Sequence, residues 1–123
     1  MKLAELFPER GKGVIATASA ACVVNTAVYA RPHIIDEETL AWGMTDSRSY
    51  ANLRQNPHAS YLYMAPVKGF SGWRLTLELT RIEDQGELLD AIRKSTAEIV
   101  GPEAAAQVKH VGYFKVTEIR PLI

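Results

Sequence analysis

The stretch Thr45-Asp46-Ser47-Arg48-Ser49 opens a short helical pattern that runs to about Asn56, where Pro57 forbids continuation. Asp46 or Ser47 supplies the cap, and the first turn then carries Arg48 and no acid. A helix N-terminus holds roughly half a positive charge, so a cation there is misplaced by a few tenths of a kcal/mol or more. Free backbone amides, the hydroxyls of Ser47 and Ser49 and a guanidinium converge on this turn, which makes it a ready phosphate site. The alternative is an Arg48–Asp46 ion pair in solvent, which contributes little.

Two further features have chemical potential. Asn25-Thr26 interrupts an otherwise apolar stretch. A buried amide without partners costs roughly 1–3 kcal/mol, so Asn25 sits at an exposed edge, bonds internally or faces a ligand. Trp42, Trp73, Tyr61 and Tyr63 either pack a core or wall a flat cofactor ring. His33, His58 and His110 lie far apart at element boundaries, without metal-ligand spacing, and read as surface or capping residues; no metal site is expected. Asp36-Glu37-Glu38 reads as a solvated turn. There is no nucleophile elbow, phosphate-binding P-loop or G-x-G-x-x-G stretch. Cys22 is the only cysteine, which excludes an intrachain disulfide, and it reads as a small buried apolar residue.

The elements that must position these residues follow from the hydrophobic pattern. Residues 3–7 suit a brief helix ended by Pro8. "GVIATASA" and "ACVVNTAVYA" are rich in β-branched residues and read as a hairpin. "TLAWGM" is a further strand after the acidic turn. In the short helix, Tyr50, Ala51 and Leu53 are expected on the inner side. "HASYLYMAP" suits a strand with both faces partly covered, and "VKGFSG" a loop. "WRLTLELTRIED" alternates cleanly, with Leu75, Leu77 and Leu79 on one face. From Glu87 the period becomes helical, with Leu89, Ile92, Thr96 and Val100 on one stripe and Leu88 and Ile99 beside it, until Gly101-Pro102. "PEAAAQVKH" suits a second short helix, and "VGYFKVTEIRP" a last strand. Mostly antiparallel strands with few helices imply a closed or nearly closed barrel, because a small sheet must cover its edges.

Bulk properties narrow the class. The 123 residues form one domain, 1–123, long enough for a core without staples. Fourteen basic residues offset fourteen acidic ones with no block of either sign, which disfavours a nucleic-acid partner. The N-terminal apolar stretch is too short for a signal peptide or a membrane span, so no membrane partner and a reducing cytoplasm are expected.

In order and content, these segments resemble the pyridoxamine 5′-phosphate oxidase-like family of FMN-binding split β-barrels, especially its small single-domain members. The resemblance spans about residues 3–120 and is carried by "VIATAS", "VNTAVY", "LAWGMTDSRSYANLRQNP", "ASYLYM" and "GWRLTLELTRIED". It implies a mainly β chain, a six- to seven-stranded antiparallel split barrel that forms a homodimer with flavin sites at the interface. It implies FMN as cofactor, with Arg48 and Ser49 on the phosphate and Ser47 and Asn52 supporting them. Asn25, Thr26 and Val28 would line the isoalloxazine with Met44 and Thr45, and Trp73 with the Lys68–Gly72 loop would arrive from the second subunit. Ser49 stands where many relatives have Lys or Thr, and "ASAACV" replaces the usual Asp-Gly-x-Pro turn. The implied function is an FMN-dependent oxidoreductase acting on a small molecule or electron donor, with no catalytic acid or base assigned. Alternatives within the resemblance are a non-catalytic flavin or electron carrier, or a relative using F420, haem or no cofactor.

Overall fold

The structure is a computed structural model that describes residues 2–7 and 10–123. Pro8, the expected stop of the first helical turn, lies outside them; the turn itself is a 3₁₀ helix over Leu3–Glu5. Seven strands follow, β1 (Lys12–Ala18), β2 (Val24–Val28), β3 (His33–Ile34), β4 (Thr39–Met44), β5 (His58–Met64), β6 (Gly72–Glu83) and β7 (His110–Pro121), with helices α1 (Arg48–Gln55), α2 (Glu87–Ile99) and α3 (Pro102–Gln107). They form one antiparallel sheet in the order β2-β1-β5-β6-β7-β4-β3. The two-residue strand β3, in a stretch where the sequence pattern marks no strand, lengthens the β4 edge.

Alternation sends Ile15, Tyr61, Tyr63, Leu75 and Leu77 inward with Leu40, Trp42 and Phe114, and Leu3, Leu6 and Phe7 join the same core. Trp42, Tyr61 and Tyr63 are thus core residues, with the Trp42 and Tyr61 rings 4.7 Å apart. Polar bonds tie the β2–β3 connection across this interior. The Tyr61 hydroxyl lies 2.9 Å and 3.0 Å from the carbonyls of Tyr29 and Ala30, and Trp42 Nε1 donates to Ala30 O at 2.8 Å. Burial, with Tyr63 nearby, pushes the Tyr61 hydroxyl well above its ordinary pKa, so it remains a donor. Gly13 makes room for that hydroxyl: a Cβ there would overlap it.

The β1–β2 hairpin forms as expected, but its turn corrects the reading of Cys22. That residue is exposed and left-handed, at φ 64°, with its amide bonded to Ser19 O at 3.0 Å. Small size here serves the turn rather than the core.

Helices α2 and α3 cover the outer face of β4 and β7, burying Leu89, Ile92 and Val108 against Ala41, Val111 and Tyr113. Gly43 permits the approach, since a Cβ there would stand 2.7 Å from Ile92 Cγ2. The apolar stripe expected along α2 is buried only in its first half. Ile99 and Val100 are 80% and 71% exposed and border a groove.

Candidate functional site: an anion turn at the mouth of a groove

Helix α1 begins where β4 ends. Ser47 is its N-cap, accepting a bond from the Tyr50 amide at 3.3 Å, while Ala51 N bonds Ser47 O at 3.0 Å. The amides of Arg48 and Ser49 have no acceptor among the described residues. Arg48 is exposed and forms no ion pair among them. The solvent pair with Asp46 does not form, because Asp46 is engaged elsewhere: Lys109 Nζ lies at 3.1 Å and His110 Nε2 at 2.7 Å. Those two bonds, His110 first, hold the Asp46 carboxyl below the ordinary carboxylate range.

The turn is braced from behind. Ser49 is buried and accepts from Asn25 Nδ2 at 3.5 Å, and Asn52 Nδ2 donates to Thr17 Oγ1 at 3.1 Å in a fully buried pair. Asn25 therefore bonds internally. Ala51, expected on the inner side of α1, is exposed; Leu53 is buried and Tyr50 partly so. Ser49 and Asn52 take the inner positions because polar partners on β1 and β2 await them. The Tyr29 hydroxyl faces Ser49 and Ser47, and burial raises its pKa against the pull of those two bonds.

In front of the turn opens a groove of about 810 Å³. Val28, Tyr29, Trp42 and Met44 form one wall, and Ile92, Thr96, Ile99, Val100 and Val108 the other. Thr45 and Ser47 close the end beside α1, and Arg31, Pro32 and His33 stand elsewhere on its rim. Of the residues that the resemblance assigns to the flavin, Val28, Met44, Thr45 and Ser47 line the groove. Thr26 is exposed on the Val28 face of β2, opposite Asn25. Trp73 is not brought to this place. It pairs with Tyr63, whereas the β1 residue that holds Asn52, Thr17, pairs with Ala59 at the other end of β5.

Sequence reasoning missed four participants. Tyr29 was findable, since residues 25, 27 and 29 share one face of an alternating strand. Arg31 and His33 follow β2 in a stretch of sequence without a periodic signal, and His33 opens the two-residue β3. Burial, then the Arg31 charge, lowers the His33 pKa, which favours its neutral ring. His110 corrects the expectation of a surface histidine: it is 8% exposed and bonded on both nitrogens, to Asp46 and Asp84. Its partners lie 64 and 26 residues away in the chain, beyond any local spacing. Among the described residues no group of three His, Cys, Asp or Glu side chains could hold a metal ion.

No protein-family model matches the chain, and no curated protein matches it in sequence. Solved structures do match. An FMN-binding protein from Syntrophomonas wolfei superposes with a TM-score of 0.79 at 23% identity, over 90% of this chain and 76% of that one. A structure from Listeria innocua described as a pyridoxamine 5′-phosphate oxidase gives 0.69 at 15%, over 90% and 87%. HutZ, the haem storage protein of Vibrio cholerae, gives 0.66 at 18%, over 98% and 95%. The fold is the pyridoxamine 5′-phosphate oxidase-like split barrel.

In this split barrel the groove lies against the β2–β4 region, with the core residues Trp42 and Met44 in its lining. Among the described residues no helix is long and apolar enough to cross a membrane.

Proposed function

We propose that the protein is an FMN-binding flavoprotein with oxidoreductase chemistry. One observation carries this reading: Ser47 lines a groove with apolar walls, and directly after it come the Arg48 guanidinium and the amides of Arg48 and Ser49, all without a partner among the described residues. The residues fit the cofactor at both ends. Arg48 and the amides of Arg48 and Ser49 suit a phosphate, with Ser47 at the cap. Val28, Tyr29 and Met44 give the flat, water-excluding wall that an isoalloxazine requires. FMN held there would supply hydride and single-electron transfer, while the protein supplies position and electrostatics. Asn25 and Asn52 keep the turn in place from behind, and the Tyr29 hydroxyl meets Ser49 and Ser47 beside them. No side chain is assigned as catalytic acid or base. Likeness to an FMN-binding protein of the same fold supports the reading.

The proposed assembly is a cytoplasmic homodimer. Trp73 and the Lys68–Gly72 loop, whose Phe70 is 76% exposed, then reach the flavin of a second copy. Sedimentation of flavin-loaded protein as a monomer would contradict the shared site. Reduction of the loaded protein by NAD(P)H separates an enzyme from a passive electron carrier.

A second reading, haem binding, is favoured by His33, an exposed imidazole on the groove rim near Arg31, whose charge helps to lower its pKa. His110 is unsuited to ligate iron because both its nitrogens are occupied. The visible spectrum decides. Incubation with FMN should produce flavin absorption and quench flavin fluorescence, with riboflavin binding far more weakly. A Soret band that disappears in His33→Ala, with no flavin uptake, replaces the flavin reading by the haem one.

A further inference from the structure

Asp46 immediately precedes the Ser47 cap, so whatever holds Asp46 also holds the opening of α1. Its carboxylate receives His110 Nε2 at 2.7 Å, and the other ring nitrogen, Nδ1, meets Asp84 Oδ1 at 2.5 Å. Ionised carboxylates only accept, so both bonds exist together only when the imidazole carries protons on both nitrogens. The ring is buried and stacks on Tyr50 of α1, with centroids 3.8 Å and planes 4° apart. Arg54 lies 5.6 Å from the centre of the same tyrosine. The charged and titratable groups around the ring are therefore Asp46 before α1, Asp84 after β6, Tyr50 and Arg54 on α1, and Lys109 before β7. Strand β4 presents Met44, which pairs with His110 in the ladder.

We infer that His110 is a positioning residue for the anion turn: as an imidazolium bridging Asp84 to Asp46, it holds the Asp46–Ser47 segment and the first turn of α1 in their binding geometry. The inference rests on the proposed reading of that turn as a phosphate site. A neutral ring can donate to one carboxylate only. The other then faces a nitrogen lone pair at hydrogen-bond distance, a repulsive contact that is relieved by moving one aspartate. When Asp46 moves, the Ser47 cap and the two open amides move with it. Ligand affinity is thereby coupled to a proton that never touches the ligand.

The test measures FMN affinity by fluorescence quenching from mildly acidic to alkaline pH in the wild type, His110→Gln and Asp84→Asn. The phosphate itself gains charge near pH 6, about its second ionisation, so the comparison between variants isolates the ring. Wild-type affinity should fall by about tenfold on the alkaline side, the scale of one charge-assisted bond. His110→Gln should be weak throughout and lack that fall. Asp84→Asn alters an exposed side chain and threatens folding less. An amide at position 84 can donate to a neutral ring, so the conflict between two acceptors and one proton is gone and the fall should be absent. A uniform change in Asp84→Asn, with the pH profile in place, would overturn the inference, because loss of a surface charge alone produces that.

A ligand-free arm separates this idea from the flavin reading. Exchange of the Ala51 amide, which bonds Ser47 O, should rise with pH more steeply than intrinsic exchange does in the wild type, and no more steeply than that in Asp84→Asn. Unchanged Ala51 protection across pH and in all variants overturns the clamp, whatever FMN does. Protection that shifts as described, in a protein that never binds FMN, supports the clamp and removes the flavin reading alone.

Discussion

Asn52 and Thr17, 35 residues apart in the chain, meet in a buried hydrogen bond of 3.1 Å that fastens α1 to β1. Neither side chain has water to fall back on, since they are 6% and 3% exposed. Asn52→Ala leaves the Thr17 hydroxyl buried without its donor and should lower folding stability by roughly 1–3 kcal/mol. Urea unfolding measures this. A double-mutant cycle with Thr17→Val should return a coupling near 1 kcal/mol, and a zero coupling means the two residues act independently.

Arg48 should separate binding from folding. Its side chain is exposed and has no ion-pair partner among the described residues, so Arg48→Ala should leave the urea midpoint within the range of ordinary surface changes. Its FMN affinity should drop by roughly 1.5–3 kcal/mol, the scale of a hydrogen bond to a charged group. Fluorescence titration reads the affinity, and an unchanged value removes the phosphate assignment.

Tyr61→Phe should destabilise without disturbing packing. The hydroxyl is a donor within reach of the Tyr29 and Ala30 carbonyls, and Ala30 keeps a second donor in Trp42 while Tyr29 O has none among the described residues. A loss of about 1–2 kcal/mol in urea unfolding is expected, since one carbonyl is left short of its donor. No loss would mean that water replaces the hydroxyl.

Acid should act in two windows. Asp46 has a folded value depressed by His110 and Lys109, so its stabilising contribution is present above the ordinary carboxylate value of about 4 and is lost as pH falls through the lower folded value. The His33 folded value is also depressed, by burial and Arg31, so stability declines as pH falls from the ordinary histidine value of about 6.5 to that lower value. Asp46→Asn should flatten the first window and His33→Gln the second, measured as the slope of unfolding free energy against pH. A His33→Gln profile that matches the wild type would show that the ring titrates alike in the folded and unfolded states.

Much of this architecture is written locally. The alternation of Leu75, Leu77 and Leu79 makes β6, Pro57 ends α1, Gly101-Pro102 divides α2 from α3, and Ser47 caps α1 as its type dictates. These are short-range effects of side-chain period, missing N–H groups and cap chemistry, and a few consecutive residues suffice to express them. Which face of α1 turns inward was not legible, because Ser49 and Asn52 are drawn under by Asn25 and Thr17 on other strands. Nor was the exposure of Ile99 and Val100, which border the groove instead of joining the core under the first half of α2. His110 is the clearest case: its surroundings come from segments 26 and 64 residues distant, brought together by strand register. The linear chain determined the elements, their order and a cation waiting at a helix start. Only the tertiary structure decided what lies behind that cation and in front of it, because buried polar partners and groove walls are set by which strands pair, and pairing is a long-range choice that no local pattern carries.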